Sequence, residues 1–564
     1  MSQQTTDAGR PRDLRVLIVD DEGDVRDELA ELVRRWGHRP FVAMGDGATL
    51  IAHAVDLARA GRCQVAIVDM RLLDPHSIGY DRSGLELVPQ LRPAVSVIYS
   101  AYGDRKSATL ALKEYGAFTF IGKEDSSRDL RAAIEDAARS VCAGGTGPRI
   151  EWGPVAPDLA PAPRHHVLGQ LFPDRADIPA DEAEQLIGML FAHKSQVALL
   201  AMADEEASAS PSTDTTLRRS SRLFEAVVER EGRHRVVKLA HADKIANEVE
   251  RYLTYVENKM PGAYYTELQS HARLWDLGGV VYNYIGADDD LMIFRAFYHA
   301  QDDVQRLLRP LNALFDSRNW GFWFRNEPRP IQRSLFAAYD ELWKHTLSRH
   351  FAAWRREGPA LELPGFPPAL PNPLPWIARH HAASTLRRAQ EAVTHGDLHS
   401  DNIIVNESHA FPIDFERTGY GPILRDFVEL TQDVSTRVAW ARSRGDGRAD
   451  LALVYNLAVA WCAPDRPDQP LPLTRAIADD PVALKLHAVA QGLRALAHAR
   501  THYEDQRELL WGLLLNHLFV ASRLHRGSPR WLRTALFAAT ICGRLERWGE
   551  GAWPPPGWPP VAWQ

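Results

Sequence analysis

Four times in the first 125 residues a short apolar run ends in polar or charged residues. Arg15–Val19 leads into Asp20-Asp21-Glu22, Gln64–Val68 into Asp69, Val95–Tyr99 into Ser100, and Phe118–Ile121 into Gly122-Lys123. The stretches between carry helical spacing. Val25, Leu29, Leu32, Val33 and Trp36 form one stripe, and Leu130, Ile134 and Val141 form another behind a capping signal at Ser126–Asp129. Short apolar strands alternating with helices predict an open, mostly parallel, doubly wound α/β sheet over residues 12–142. Sites in such sheets lie at the carboxyl ends of the strands. Asp20, Asp21, Asp69, Ser100 and Lys123 all fall there. Three carboxylates in one crevice repel unless a cation sits among them, which implies Mg2+.

Residues 143–180 are rich in Pro and Gly and predict a semi-extended linker. A second module is expected over 181–564. Asp181–Ala192 has a helical stripe, and Ser195–Met202, Leu223–Val228 and His234–Leu239 read as strands. The next helix, Asp243–Val256, carries Ile245, Val249, Tyr252, Leu253 and Val256 on one face. Glu248 lies at the edge of that stripe and Glu250 points away, so Glu248 is the expected partner of Lys238 on the preceding strand. Val280–Gly286 reads as one more strand. Beyond about 300 the pattern is helical, apart from one hairpin. Its strands are Asn402–Val405 and Phe411–Phe415, joined by a polar turn. The hairpin brings Asn402 close to Asp414, a hard-oxygen pair suited to Mg2+. Asp397, in the loop leading in, is placed to accept a proton from a hydroxyl attacking a metal-bound phosphate.

The formal charge is −7, with ordinary apolar and aromatic fractions, so no general nucleic-acid or membrane partner is implied. Four scattered cysteines without CxxC spacing read as reduced thiols. The polar N-terminus has no apolar segment of signal type and no run reaches membrane-spanning length, so a cytoplasmic location is expected.

The pattern of Asp20, Asp21, Asp69, Ser100 and Lys123 resembles the receiver domain of two-component response regulators, a flavodoxin-like fold. The resemblance implies that Asp20 and Asp21 bind Mg2+ and that Asp69 is the phosphoacceptor. Ser100, Phe120 and Lys123 would then form the switch. It also implies an upstream histidine kinase or phosphotransfer protein as phosphodonor, and a homodimer through the receiver is compatible with it. The loop after Asp69, Met70–Ser83, is longer than usual and lacks the expected Pro-Asp.

The string His395-Gly-Asp-Leu-His-Ser-Asp-Asn402 with a later Ile413-Asp-Phe415 resembles the aminoglycoside phosphotransferase/choline kinase branch of the protein-kinase-like fold. That resemblance implies an α+β bilobal domain, with an N-lobe at about 181–290 and a large helical C-lobe at about 291–564. It implies ATP and Mg2+ as cofactors. Lys238, held by Glu248, would bind the nucleotide phosphates, Asp397 would be the base, and Asn402 and Asp414 the metal ligands. Asp426 would brace the catalytic loop. The phosphate-covering turn is the departure: Leu217–Phe224 has no Gly and offers Ser220 and Ser221 as donors.

The chain is therefore expected to be a phosphorelay-regulated, ATP-dependent phosphotransferase acting on an unidentified hydroxyl acceptor, a protein or a small molecule. The alternative is a signalling scaffold, a receiver with a nucleotide-binding pseudokinase that assembles partners. The tail Trp553–Trp563 is polyproline-like and leaves two roles open, a ligand for a partner domain or packing on the C-lobe.

Overall fold

The computed structural model describes residues 13–73, 81–101, 105–141, 148–152, 182–192, 194–201, 221–228, 234–259, 266–283, 292–316, 328–363, 370–441 and 448–563. They fall into two compact units. The first holds the described residues up to 201 together with 221–246 and 268–283. The second holds the rest.

The first unit opens with five parallel strands. They are β1 (Arg15–Val19), β2 (Arg39–Val42), β3 (Val65–Val68), β4 (Val95–Ser100) and β5 (Thr119–Gly122), in the order β2-β1-β3-β4-β5. Helices α1 (Gly23–Arg35), α2 (Gly47–Ala60), α3 (Ser83–Leu87) and α4 (Arg105–Lys113) connect them, and α5 (Ser127–Val141) follows β5. Successive residues of β1 and β3 alternate between two apolar cores. Leu17, Val19, Ala66 and Val68 enter one, and Val16, Ile18, Val65 and Ile67 the other. Burial on both faces is why these strands read as unbroken apolar runs. The edge strand β2 was not legible in the sequence, because Arg39-Pro-Phe-Val42 carries a Pro that only an edge tolerates. The predicted cap forms: Ser126 Oγ accepts from Asp129 N, and Asp129 Oδ2 accepts from Ser126 N, each at 3.3 Å.

A six-stranded sheet follows in the same unit. Its strands are β6 (Arg149–Trp152), β7 (Gln196–Ala201), β8 (Ser221–Val228), β9 (His234–His241), β10 (Glu267–Leu274) and β11 (Leu277–Asn283), in the order β10-β11-β9-β8-β7-β6. Helix α6 (Glu182–Leu190) buries Ala183, Leu186, Ile187 and Leu190 in its core. Strand β6 is a correction to the expected linker over 143–180. It pairs parallel with β7 because Ile150 and Trp152 find an apolar surface, and Trp152 stands edge-on to Phe224 at 5.7 Å. Helix α7 (Ala242–Tyr255) comes after β9. Its Glu248 is fully buried, whereas Glu250 is exposed.

The second unit is mostly helical. The sequence indicated one hairpin there; the structure adds a second small sheet. The hairpin pairs β15 (Ile403–Val405) with β16 (Ala410–Pro412), and β12 (Met292–Ile293) joins β15. The added sheet comprises β13 (Arg329–Pro330), β14 (Gln390–Thr394) and β17 (Gly419–Pro422). Two of these strands are short and contain Pro or Gly, and so look like turns in the sequence. The C-terminal tail packs within this unit. Trp553 Nε1 donates to Val459 O, and Tyr455 Oη donates to Pro559 O, both at 2.9 Å. Trp558 lies so close to Gly543 that a Cβ there would sit 2.4 Å from the indole. Of the two roles left open for the tail, packing is the one observed. No described helix is long and apolar enough to cross a membrane.

Helix Gln506–Ala521 carries Glu508, which is buried, and burial pushes its carboxyl up to about 8. The folded state therefore holds a proton that the unfolded chain releases near 4.5. Stability from this group is complete at acid pH and is lost as pH rises toward 8. Urea denaturation across pH 5–9 should show falling stability, and Glu508→Gln should flatten that slope.

Candidate active site and phosphoacceptor site

At the carboxyl edge of the five-stranded sheet, ligand oxygens of Asp20, Asp21 and Asp69 lie within 4.8 Å of one another. Asp20 and Asp69 are buried. Burial pushes the Asp69 carboxyl up to about 6, opposed by Lys123 and a hydrogen bond from Ser100. Burial also raises Asp20, against the pull of Lys123. Lys123 Nζ lies 2.8 Å from Asp20 Oδ2 and 3.9 Å from Asp69 Oδ2. Asp69 Oδ1 is buried and has no hydrogen-bond partner among the described residues. An unsatisfied carboxylate oxygen between two further carboxylates fits a hard divalent cation such as Mg2+. The backbone is tight around Asp69: a Cβ on Gly84 would stand 1.8 Å from Asp69 O. Ser100 and Phe120 sit on β4 and β5, as the strand-end pattern predicted. Residues 74–80 of the long loop after Asp69 lie outside the described residues.

In the second unit the loop 395–402 leaves β14 and is held from behind by one helix, α8 (Arg425–Thr436). Its carboxylates at 426, 429 and 433 repeat at helical spacing and so share a face. Asp426 accepts from the backbone N–H of His395 at 2.9 Å and of Gly396 at 2.8 Å. Glu429 accepts from Leu398 N at 3.0 Å, and Asp433 from Ser400 N at 3.0 Å and Ser400 Oγ at 2.6 Å. Arg425, also buried, donates to Gly396 O and, through Nε, to Glu429. Gly396 has φ 79°, and a Cβ there would meet Arg417 O at 2.4 Å and the Arg425 guanidinium at 2.7 Å. Only glycine fits both constraints.

This brace presents Asp397 at the surface of the loop. Burial opposes its ionisation, but the Arg417 guanidinium, with Nη1 3.2 Å from Oδ1, and His399 hold it below the usual carboxylate range. The Asn402 amide nitrogen donates to Asp397 O at 2.9 Å, which leaves the amide oxygen as its ligand atom. Ile413 N donates to Asn402 O at 3.0 Å, so the hairpin brings the backbone of Asn402 beside the residue before Asp414. Asp414 itself adopts a left-handed conformation, φ 69° and ψ 69°, uncommon for a non-glycine residue. His395 is buried beside Phe415. Burial lowers its pKa to about 4, so the ring is neutral, and its Nε2–H donates to Ile413 O at 2.9 Å. An amide oxygen and a carboxylate at the ends of one hairpin are the hard-oxygen donor set that Mg2+ takes.

Lys238 lies on β9, buried to 1% exposure, opposite Val280 of β11. Ser220 lies outside the described residues, as do residues 284–291, where the strand into the hinge was expected to continue. Ser221 is the first residue of β8. Sequence reasoning missed Arg417 and the bracing roles of Glu429 and Asp433. The spacing of three carboxylates on α8 was the available signal. Arg417, three residues after Asp414, carried none.

The two sites are a carboxylate cluster at the edge of a parallel α/β sheet and a braced loop beside a hairpin. Residues 227–473 match the model of the phosphotransferase enzyme family. The N-terminal region is 33% identical over 135 residues to the transcriptional regulatory protein PdtaR of Mycobacterium tuberculosis, covering 24% of this chain and 62% of that protein. It is 33% identical over 150 residues to the sensory transduction protein RegX3 of Mycolicibacterium smegmatis, covering 26% and 60%. The chain thus spans about three fifths of the length of these curated relatives. Among solved structures, aminoglycoside phosphotransferase APH(4)-Ia aligns at 14% identity over 66% of this chain and all of that one, with a TM-score of 0.34. The signal receiver domain of a modulated diguanylate cyclase from Desulfovibrio desulfuricans aligns at 23% identity over 23% of this chain and 96% of that one, with a TM-score of 0.19. The C-terminal region is thus similar to the phosphotransferase enzyme family, and the N-terminal region to response-regulator proteins.

Proposed function

We propose that this chain is an ATP-dependent phosphotransferase whose kinase-like domain is modulated by phosphorylation of its receiver at Asp69. The observation that supports it best is the braced loop, which holds Asp397 and Asn402 at the end of the hairpin that carries Asp414. In the reaction, an acceptor hydroxyl oxygen forms a bond to the γ-phosphorus of ATP, the bond from that phosphorus to ADP breaks, and the hydroxyl proton passes to Asp397. Asp397 is ionised at neutral pH because Arg417 stabilises its charge, so it orients the hydroxyl before transfer. Lys238 neutralises the nucleotide phosphates. Its burial calls for a carboxylate partner, and the buried Glu248 is the residue assigned that role in this reading. Asn402 and Asp414 would hold Mg2+, which supplies charge stabilisation at the phosphates. Ser221 and Ser220 are further phosphate donors.

The receiver draws its phosphoryl group from an upstream histidine kinase or phosphotransfer protein, with Asp20 and Asp21 beside Asp69 as Mg2+ ligands and Lys123 against the phosphoryl charge. The acceptor is a hydroxyl-bearing protein or small molecule.

The test is Mg2+-ATP turnover and autophosphorylation of the purified chain, with and without a small phosphodonor, beside Asp397→Ala and Asp69→Ala. The expected activity is absent in Asp397→Ala and responds to the phosphodonor only when Asp69 is intact. ATP binding without turnover in any state would overturn the proposal in favour of a scaffold. Separately, Asp69→Asn should show no acyl phosphate by intact-protein mass measurement after phosphodonor treatment, while the unaltered chain is labelled.

A further inference from the structure

The receiver sheet and the six-stranded sheet share a buried charged joint. Arg62, 3% exposed, sits in the turn between α2 and β3 with φ 49°. Its Nε donates to Glu182 Oε1 at 2.6 Å, its Nη2 to the other oxygen of the same carboxylate, and its Nη1 to Asp276 Oδ2 at 2.8 Å. Glu182, the first residue of α6, is fully buried. Arg15 Nε donates to Arg62 O at 2.9 Å and its Nη2 lies 4.0 Å from Glu182. Trp275, beside Asp276, packs against both the receiver core and the core of the six-stranded sheet. A bidentate guanidinium–carboxylate pair in a dry setting contributes little net stability, but it fixes one orientation.

What the joint touches on each side gives it meaning. Arg15 begins β1, which ends at Asp20 and Asp21. Arg62 lies three residues before the start of β3, and β3 leads directly into Asp69. The Gln64 side chain accepts from Arg15 N at 2.8 Å and ties the two strand starts together. On the other side, Asp276 O accepts from Ala242 N, the first residue of α7, at 2.8 Å. Gly278, two residues on, lies so close to α7 that a Cβ would meet Ile245 at 2.8 Å. Farther along α7 come Glu248, Asn247, which donates to Glu416 O at 2.7 Å, and Tyr252, whose ring stands against Phe415, the neighbour of Asp414.

We propose that this joint is the surface through which the receiver acts on the kinase-like domain: phosphorylation at Asp69 changes the starts of β1 and β3, and Arg62 carries that change through Asp276 to the N-terminal end of α7. The inference rests on the proposed receiver control and names its route. The competing route is the face bearing Ser100 and Phe120. Coupling between sites in proteins is typically about 5- to 150-fold.

Asp276 is 29% exposed, so Asp276→Ala leaves Arg62 paired with Glu182 and no charge stranded in the interior. Asp276→Asn is a second, milder variant should the first fold poorly. In the full chain, the ratio of turnover with phosphodonor to turnover without should collapse toward one in both variants, with basal turnover and Asp69 labelling retained. Hydrogen exchange of amides 242–246 should change on labelling in the unaltered chain and not in the variants. An undiminished ratio, or undiminished exchange at 242–246 in the variants, would overturn the joint as the route. Exchange is read whether or not the chain turns over ATP. If the unaltered chain shows no turnover, the enzymatic proposal fails while the exchange result still decides the joint.

Discussion

Asp397→Asn should lower phosphoryl transfer by about 10²- to 10⁴-fold, the range for removing a positioned general base. The substitution is nearly isosteric, and it leaves the Asn402 hydrogen bond in place because that bond goes to the backbone oxygen of residue 397. Arg417, its ion-pair partner, is about one-third exposed and can be solvated once the carboxylate is gone, so folding should be unaffected. Single-turnover kinetics, a thermal melt and calorimetric ATP binding together check this. Lost transfer with unchanged melting temperature and nucleotide affinity is the expected result. A variant that retains transfer within a factor of a few would remove Asp397 from the chemistry. Lost nucleotide binding would instead assign it to the ATP site.

Asp426→Ala should cost stability and activity together, because the carboxylate it removes is a brace. Two buried backbone donors, His395 N and Gly396 N, would lose their acceptor. At about 1–3 kcal/mol for each unsatisfied donor, the loss is about 2–6 kcal/mol, and the second unit should unfold at clearly lower urea concentration. Asp426→Asn should fall between, since its amide offers one acceptor oxygen and turns an NH2 group toward the other donor. The carboxyl is pushed up to about 7 by burial and by Glu429, so part of the population is protonated near neutrality. An Asp426→Ala chain as stable as the original would show that the loop is held by Glu429, Asp433 and Arg425 alone.

The five-stranded sheet was almost fully legible in the sequence, its edge strand excepted. Its inner strands are buried on both faces and read as apolar runs, and its candidate site residues lie directly after strand ends. Helix α7 was legible for a related reason: a 3.6-residue stripe shows which carboxylate turns inward, and Glu248 is the buried one. The elements that escaped notice lack this signature. Strand β2 is an edge strand with a Pro, β13 and β17 are short and contain Pro or Gly, and β6 lies in a stretch whose composition is that of a connector. Each exists because a neighbouring sheet or core offers it pairing and burial, a condition set by distant parts of the chain.

For the sites, local sequence determined the chemistry. It placed Asp20, Asp21, Asp69, Ser100 and Lys123 at strand ends, and Asp397, Asn402 and Asp414 around one hairpin, because strand–turn geometry is dictated within a few residues. Only the tertiary structure decided how these groups are held and charged. Arg417 reaches Asp397 across 20 positions, α8 grips the loop across about 30, and Arg62 meets Glu182 across 120 and Asp276 across 214. Long-range ion pairs leave no periodicity in a sequence. They depend on packing and on exclusion of water, and both are properties of the folded chain alone.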